Sequence, residues 1–183
     1  MRCFGDGDEL YSQYHDAEWG RPVRTEQGLY ERICLEGFQA GLAWITVLRK
    51  RSALREVFHG FEPAVVAAMD VEPLLDDARL IRSRAKLQAC VTNARATLAL
   101  DGALVDLVWQ HRHDGPAPAT WESVPARTEA SIALAKALKR TGFAFVGPTT
   151  AYAMLQACGV VNDHLIGCPV RADVEDRRAS ALS

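Results

Sequence analysis

Three sets of residues have types and spacings that can support chemistry. The first lies in residues 33–48, ICLEGFQAGLAWITVL. Read at helical spacing, a stripe there runs Leu29, Ile33, Glu36, Ala40, Trp44 and Val47, in steps of three and four. One member is a carboxylate. An ionisable group on an apolar face is costly to bury unless it is paired, neutralised or used. Gly37 and Gly41 strip side chains from an adjacent face, which lets a backbone or a flat ligand come close. Trp44, two turns from Glu36 on the stripe, puts an aromatic wall and an acceptor on one pocket. Tyr11, Tyr14 and Trp19 offer further walls. Such a set suits a flat, cationic, hydrogen-bond-donating ligand. On periodicity alone, the same residues also describe an aromatic core whose glutamate caps another element.

The second set is His164-x₃-Cys168, spaced so that one helical turn brings both to one metal ion. With Cys3 and His15 it makes a Cys₂His₂ group suited to tetrahedral zinc, closed and therefore structural. Such a site would staple the N-terminal arm to the last ordered segment. Because the halves lie far apart in sequence, a loose terminal cysteine and two unrelated histidines also fit the spacing. The third set is the turn at 142–147, bounded by Gly142 and Gly147 and followed by Pro148. Outward amides feeding the positive end of a helix make a natural phosphate site. Thr149 and Thr150 add hydroxyl donors, and Lys139 and Arg140 add charge. A plain connector between core helices reads the same way.

These residues need elements to hold them. Residues 1–24 carry few long apolar side chains and read as an irregular arm. Thr25 offers an N-cap for a helix to about residue 40, and a second helix at 44–58 carries Arg49, Lys50 and Arg51 on its exposed side. Phe61-Glu62-Pro63 restarts a short helix, and VEPLLDDARLI reads as another. Over residues 83–100 a long amphipathic helix turns Leu87, Val91, Ala94 and Leu98 to one face. A helical fragment at 104–109 precedes a polar loop that holds His111 and His113. Thr128 caps a helix with Ile132, Ala135 and Leu138 as its apolar positions. Gly142 ends it, Pro148 opens the next helix and Gly159 ends that one. Residues 169–183 read as a polar, partly disordered tail. No strand or internal repeat is visible, so the expected class is all-α.

Composition sets the bounds. The 183 residues, 49% hydrophobic and 24% charged, suit one ordinary globular domain. No apolar run approaches the ~20 residues of a membrane span. The acidic, glycine-rich start MRCFGDGDEL is unlike a signal peptide, so a cytoplasmic protein is expected. A net charge of −2 argues against coating nucleic acid with the whole surface, although a local basic face remains available. Five cysteines make a disulfide framework unsuitable; Cys34, Cys90 and Cys158 read as small core residues.

The segments YHDAEWGRP, ICLEGFQAGLAWITVL, RTGFAFVGPTTAYAMLQACGVVNDH and IGC resemble, in this order, the 3-methyladenine DNA glycosylase I family, over nearly the whole chain to about Cys168. The resemblance implies an all-α helix-hairpin-helix glycosylase fold with two helical lobes. One domain would span 1–168, with one zinc ion on Cys3, His15, His164 and Cys168. It implies a base pocket of Tyr11, Tyr14, Glu36 and Trp44 with Gln39 and Trp19 nearby, Glu36 being the catalytic and discriminating carboxylate. The backbone grip would fall to Gly142, Gly147, Thr149 and Thr150, helped by Lys139 or Arg140. The family carries a tryptophan two residues after the first cysteine. Here Phe4-Gly5 stands instead, one residue shorter, and Phe4 is the available replacement wall. The implied activity is monofunctional: hydrolysis of the N-glycosidic bond of N3-methyladenine in double-stranded alkylated DNA, releasing free 3-methyladenine during base excision repair, by a monomer. Residues alone also fit a DNA-binding module without chemistry, or a binder of free purines.

Overall fold

Helix α2, Glu26–Gln39, is the rod on which the core is assembled in this computed structural model, which describes residues 2–181. The Thr25 hydroxyl caps it, accepting from the Gly28 amide at 3.2 Å. Leu29, Tyr30, Ile33, Cys34, Leu35 and Phe38 are all buried, so the helix is apolar nearly all round, as a central helix must be. Around it stand α3 (Trp44–Val57), α5 (Arg84–Ala99), α6 (Leu104–Trp109) and α8 (Pro148–Ala157). The short α4 (Pro63–Val66) lies against α5, and α7 (Glu129–Arg140) against α8. No strand occurs among the described residues, and no described helix is long and apolar enough to cross a membrane.

Four local expectations change. The N-terminal arm holds a helix, α1 (Glu9–Ala17), capped by Asp8, whose carboxylate accepts from the Tyr11 amide at 3.0 Å. Its inward residues, Tyr11, Tyr14 and His15, are spaced three and four apart but are polar aromatics, so hydropathy hides the pattern. The stripe from Leu29 to Val47 is not one helix. α2 stops at Gln39, Gly41 turns the chain at φ +77°, and α3 begins at Trp44. VEPLLDDARLI yields only a 3₁₀ turn, Glu72–Leu75, because the Asp77 carboxylate accepts from the Arg79 amide and locks a turn there. The expected tail instead forms α9 (Arg171–Ser180), while residues 182 and 183 lie outside the described range. Its Val174 is fully buried and its Arg178 is 1% exposed. The Arg178 guanidinium donates to the carbonyls of Gly159 and Val160 at 2.8 and 3.0 Å and to Asp114 at 2.9 Å. A helix whose inward residue is arginine looks like solvated tail in sequence.

Smaller departures follow from side-chain chemistry. Leu98 and Ile132 are exposed, and Thr97, Ser131 and Leu134 take the inward positions. Arg51 faces Glu18 rather than solvent. Cys34, Cys90 and Cys158 are buried in the core, as the sequence indicates.

Candidate active site

Glu36 sits on the penultimate turn of α2, where the helix meets a cavity of about 170 Å³. Tyr11 and Tyr14 reach it from α1, Trp44 from the first turn of α3, and Ala153 and Gln156 from α8. Gln39, Trp19 and Phe4 complete the inner lining, and Trp121 stands at its edge. All six residues expected at the base pocket therefore meet here. The Tyr14 and Trp44 rings are 5.2 Å apart, and Phe4 lies 4.9 Å from Tyr11 and 5.0 Å from Trp19. Glu36 and Trp44 come together across the 40–43 turn, not by helical spacing.

Glu36 is 4% exposed, and its Oε2 has no hydrogen-bond partner; neither does the Trp44 indole N–H. A buried polar atom left unmatched costs about 1–3 kcal/mol, which a ligand with the complementary group can recover. Burial pushes the Glu36 carboxyl up to about 8, against the pull of the Arg32 cation one turn earlier on α2. Arg32 donates to Glu18 at 3.3 Å and lies 5.9 Å from the Tyr14 ring centre. Glu18 is already held by both Arg51 nitrogens at 2.6 and 2.7 Å. Two cations thus share one carboxylate beneath the pocket, which leaves positive charge to balance an ionised Glu36. The arrangement can hold a flat aromatic ligand edge-on to an acceptor, with rings on its faces.

A second opening of about 230 Å³ runs from Glu36 and Gln39 past Gly41 and Leu42 to Thr149, Thr150 and Ala153. It joins the pocket to the glycine-bounded turn between α7 and α8. Gly142 has φ +94°, and nothing lies within 4 Å of where a Gly147 side chain would begin. Lys139, Arg140 and Thr149 are exposed on the same connection. Helix α5 holds both flanking turns. The Lys86 ammonium donates to the Phe38 and Ala40 carbonyls at 2.9 and 2.6 Å. Two turns further on, Asn93 accepts from the Ala144 amide at 2.7 Å and donates to its carbonyl at 3.2 Å. Gly37 allows Phe145 to seat between them, where a Cβ on the glycine would stand 3.3 Å from that of Phe145.

Cys3, His15, His164 and Cys168 converge at the far side of α1, their ligand atoms within 4.8 Å of one another, and this group can hold a metal ion. Cys168 Sγ is 3.4 Å from His164 Nδ1 and 3.6 Å from His15 Nε2, and Cys3 Sγ is 3.6 Å from His164 Nδ1. Partners outside the group orient both rings: His15 Nδ1 meets Asp16 at 2.8 Å, and His164 Nε2 meets the Trp19 carbonyl at 3.2 Å. Burial holds His164 down at about 4, in the neutral form a metal needs.

Sequence reasoning missed Trp121, Ala153, Gln156 and Leu42. Ala153 and Gln156 follow Thr149 and Thr150 at helical spacing along α8, a signal that was present. Leu42 gave none, being one apolar residue in a turn. It is 39% exposed at the rim.

The methyladenine glycosylase family model matches residues 4–172. DNA-3-methyladenine glycosylase 1 of Escherichia coli (strain K12) is 51% identical over 170 residues, covering 88% of this chain and 91% of that protein. A crystal structure of 3-methyladenine DNA glycosylase I superposes with a TM-score of 0.89 at 48% identity, covering 92% of this chain and 98% of that one. A variant of such an enzyme, crystallised in complex with 3-methyladenine, gives 0.87 at 31% identity, covering 92% of this chain and 96% of that one. This chain is a glycosylase enzyme and belongs to the methyladenine glycosylase family.

Proposed function

We propose that this protein removes N3-methyladenine from alkylated double-stranded DNA by hydrolysing its N-glycosidic bond and stops at the abasic strand. The observation that carries the reading is the orphaned oxygen of Glu36, a residue lining an aromatic-walled cavity of about 170 Å³. Methylation at N3 leaves the base cationic, so its glycosidic bond is already weak. As the C1′–N9 bond breaks, its electron pair neutralises the purine; water forms the new C1′–O bond and releases its proton to solvent. Such a reaction needs no strong general acid. It needs a base turned out of the stack, a step made cheaper by weakened pairing, and a pocket that selects it. Glu36 accepts hydrogen bonds from the adenine edge, while Tyr11, Tyr14, Trp19 and Trp44 provide the walls and Gln39 the polar rim.

In this reading α7, the glycine turn and α8 form a helix-hairpin-helix that grips phosphate through the amides near Gly142 and Gly147 and the hydroxyls of Thr149 and Thr150. Lys139 and Arg140 add charge, and such contacts carry no sequence information. Leu42, exposed beside the groove, is suited to fill the gap the turned-out base leaves. The fold is read as one domain of two lobes that extends through α9, acting as a monomer. The metal is read as one structural zinc ion on Cys3, His15, His164 and Cys168. Zn–S and Zn–N bonds of ~2.3 and ~2.1 Å at tetrahedral angles put sulfur about 3.6 Å from nitrogen, close to the separations found. When bound, it supplies a cross-link between the chain's two ends and no chemistry at the base.

The four lysines support base removal without strand cleavage, since a lyase needs an amine at the sugar. Lys50 donates to the Ala78 and Arg79 carbonyls, Lys86 is committed to Phe38 and Ala40, and Lys136 and Lys139 lie exposed on α7. Incubation with methylated duplex DNA should release free 3-methyladenine and leave an intact abasic strand, and borohydride should trap no protein–DNA adduct. Retention of the base in the DNA would refute the activity. An adduct lost in Lys50→Ala would refute its monofunctional character.

A further inference from the structure

We propose that Trp121, from the loop between α6 and α7, is a further base-binding residue: its indole closes the outer side of the pocket and stacks on the turned-out base. The inference deepens the reading of the cavity as a base pocket and rests on it. Trp121 lines the same cavity as Glu36, although 85 positions separate them in the chain. It is 43% exposed, an unusual state for an indole in a protein whose other three tryptophans are at most 8% exposed. A large aromatic face left open toward a cavity, instead of folded into the core, gains by being covered there.

The ring is also held for that purpose. Its centre stands 5.9 Å from Phe4 and 6.1 Å from Trp19, both steeply inclined to it, so two rings of the same cavity wall brace it. The backbone under it is a 3₁₀ turn, Trp121–Ser123, closed by reciprocal bonds between Thr120 and Ser123. Val124 rests against the core just beyond, and the Pro118 carbonyl accepts from the Ile166 amide at 2.9 Å. Ile166 lies between His164 and Cys168, so the loop is moored to the segment that carries half of the Cys/His group. The arm supplies only the smaller Phe4 on this side, and Trp121 extends the wall outward. Its π face suits a cationic purine better than a neutral one.

The test measures binding of free 3-methyladenine, by calorimetry, to the full chain and to three variants. Trp121→Ala should weaken binding roughly tenfold or more, as loss of one stacking partner does. Trp121→Leu, which keeps apolar bulk without a π face, should behave like the alanine variant, and Trp121→Phe should restore most of the affinity. Melting temperature and affinity for undamaged duplex should stay close to the parent's, which separates stacking from a structural role. If Trp121→Ala alters folding, the leucine and phenylalanine pair decides alone. A parent chain that neither binds nor excises the base would overturn the pocket reading itself. A parent that binds normally while Trp121→Leu binds equally well would overturn only the role given to Trp121.

Discussion

Glu36 is the side chain on which the proposed chemistry turns. Its Oε2 and the Trp44 N–H, both on residues that line the pocket, are buried and unmatched, as is one Arg32 nitrogen beneath it, which fits the proposed binding of a donor-bearing base. Its carboxyl, pushed up to about 8 from an ordinary 4.5, is protonated in the folded chain where the unfolded chain has released the proton. Stability should therefore fall as pH rises from about 4.5 to about 8, because over that window the folded state binds the extra proton. Glu36→Gln removes the ionisation. The variant should melt at higher temperature than the parent above about pH 8, by an amount on the order of a few kcal/mol, and the two should converge in acid. Parallel melting curves across the pH range would contradict the desolvation. The same change gives up one acceptor, so excision should fall much more than DNA binding, whose contacts lie elsewhere. Single-turnover base release measured beside duplex affinity checks that split.

At the scale of elements, α5 does something its sequence does not advertise. Lys86 and Asn93, seven residues apart and so on one face, hold the end of α2 and the turn before α8. The two turns thereby keep a fixed separation, and the opening between them runs from Glu36 to Thr149 and Thr150. Under the proposed function, a duplex gripped at one turn is presented to the pocket behind the other. Gly147→Asp tests the grip. Gly147 is the N-cap of α8 with extended backbone at φ −68°, a conformation aspartate favours, so the fold should tolerate the change or gain slightly. A carboxylate facing phosphate should lower affinity for undamaged duplex about tenfold at low salt, with affinity for free 3-methyladenine preserved. Equal losses of both would mean the turn is only a scaffold.

Across the whole molecule, the chain is closed near its two ends. Cys3 and His15 from the arm meet His164 and Cys168 from the far end, and α1, fastened there, presents Tyr11 and Tyr14 to the pocket. A zinc ion on these four residues, as proposed, would support the site at a distance, because α1 carries two pocket walls. Carefully purified protein should carry about one zinc per chain. Cys168→Ser should lose it and lower the melting temperature on the order of 10 °C. Elemental analysis of parent and variant, with thermal melts of each, checks both expectations; a metal-free parent would remove the zinc reading. α9 adds a second closure, its buried Arg178 joining the end of α8 to the 113–114 loop.

Sequence by itself determined what local rules control. Thr25, Thr128, Pro148, Gly142 and Gly159 punctuate the helices because capping and left-handed turns act within a few residues, and α2, α7 and α8 begin or end where those signals say. Ordered matches over long segments likewise made the family legible, and with it the membership of the pocket. Only the tertiary structure decided the rest. How Glu36 and Trp44, on separate helices, come to face one cavity depended on the turn at Gly41, which permits their approach without helical register. That α1 and α9 pack as they do depended on partners far along the chain: Tyr14 meets Trp44, His15 meets His164, and Arg178 donates to Gly159, Val160 and Asp114. Cys3 and Cys168 are 165 positions apart, and nothing local relates them. Trp121 was invisible for the same reason: one aromatic residue in a polar loop has no periodicity to read, and its meaning comes entirely from the cavity it faces.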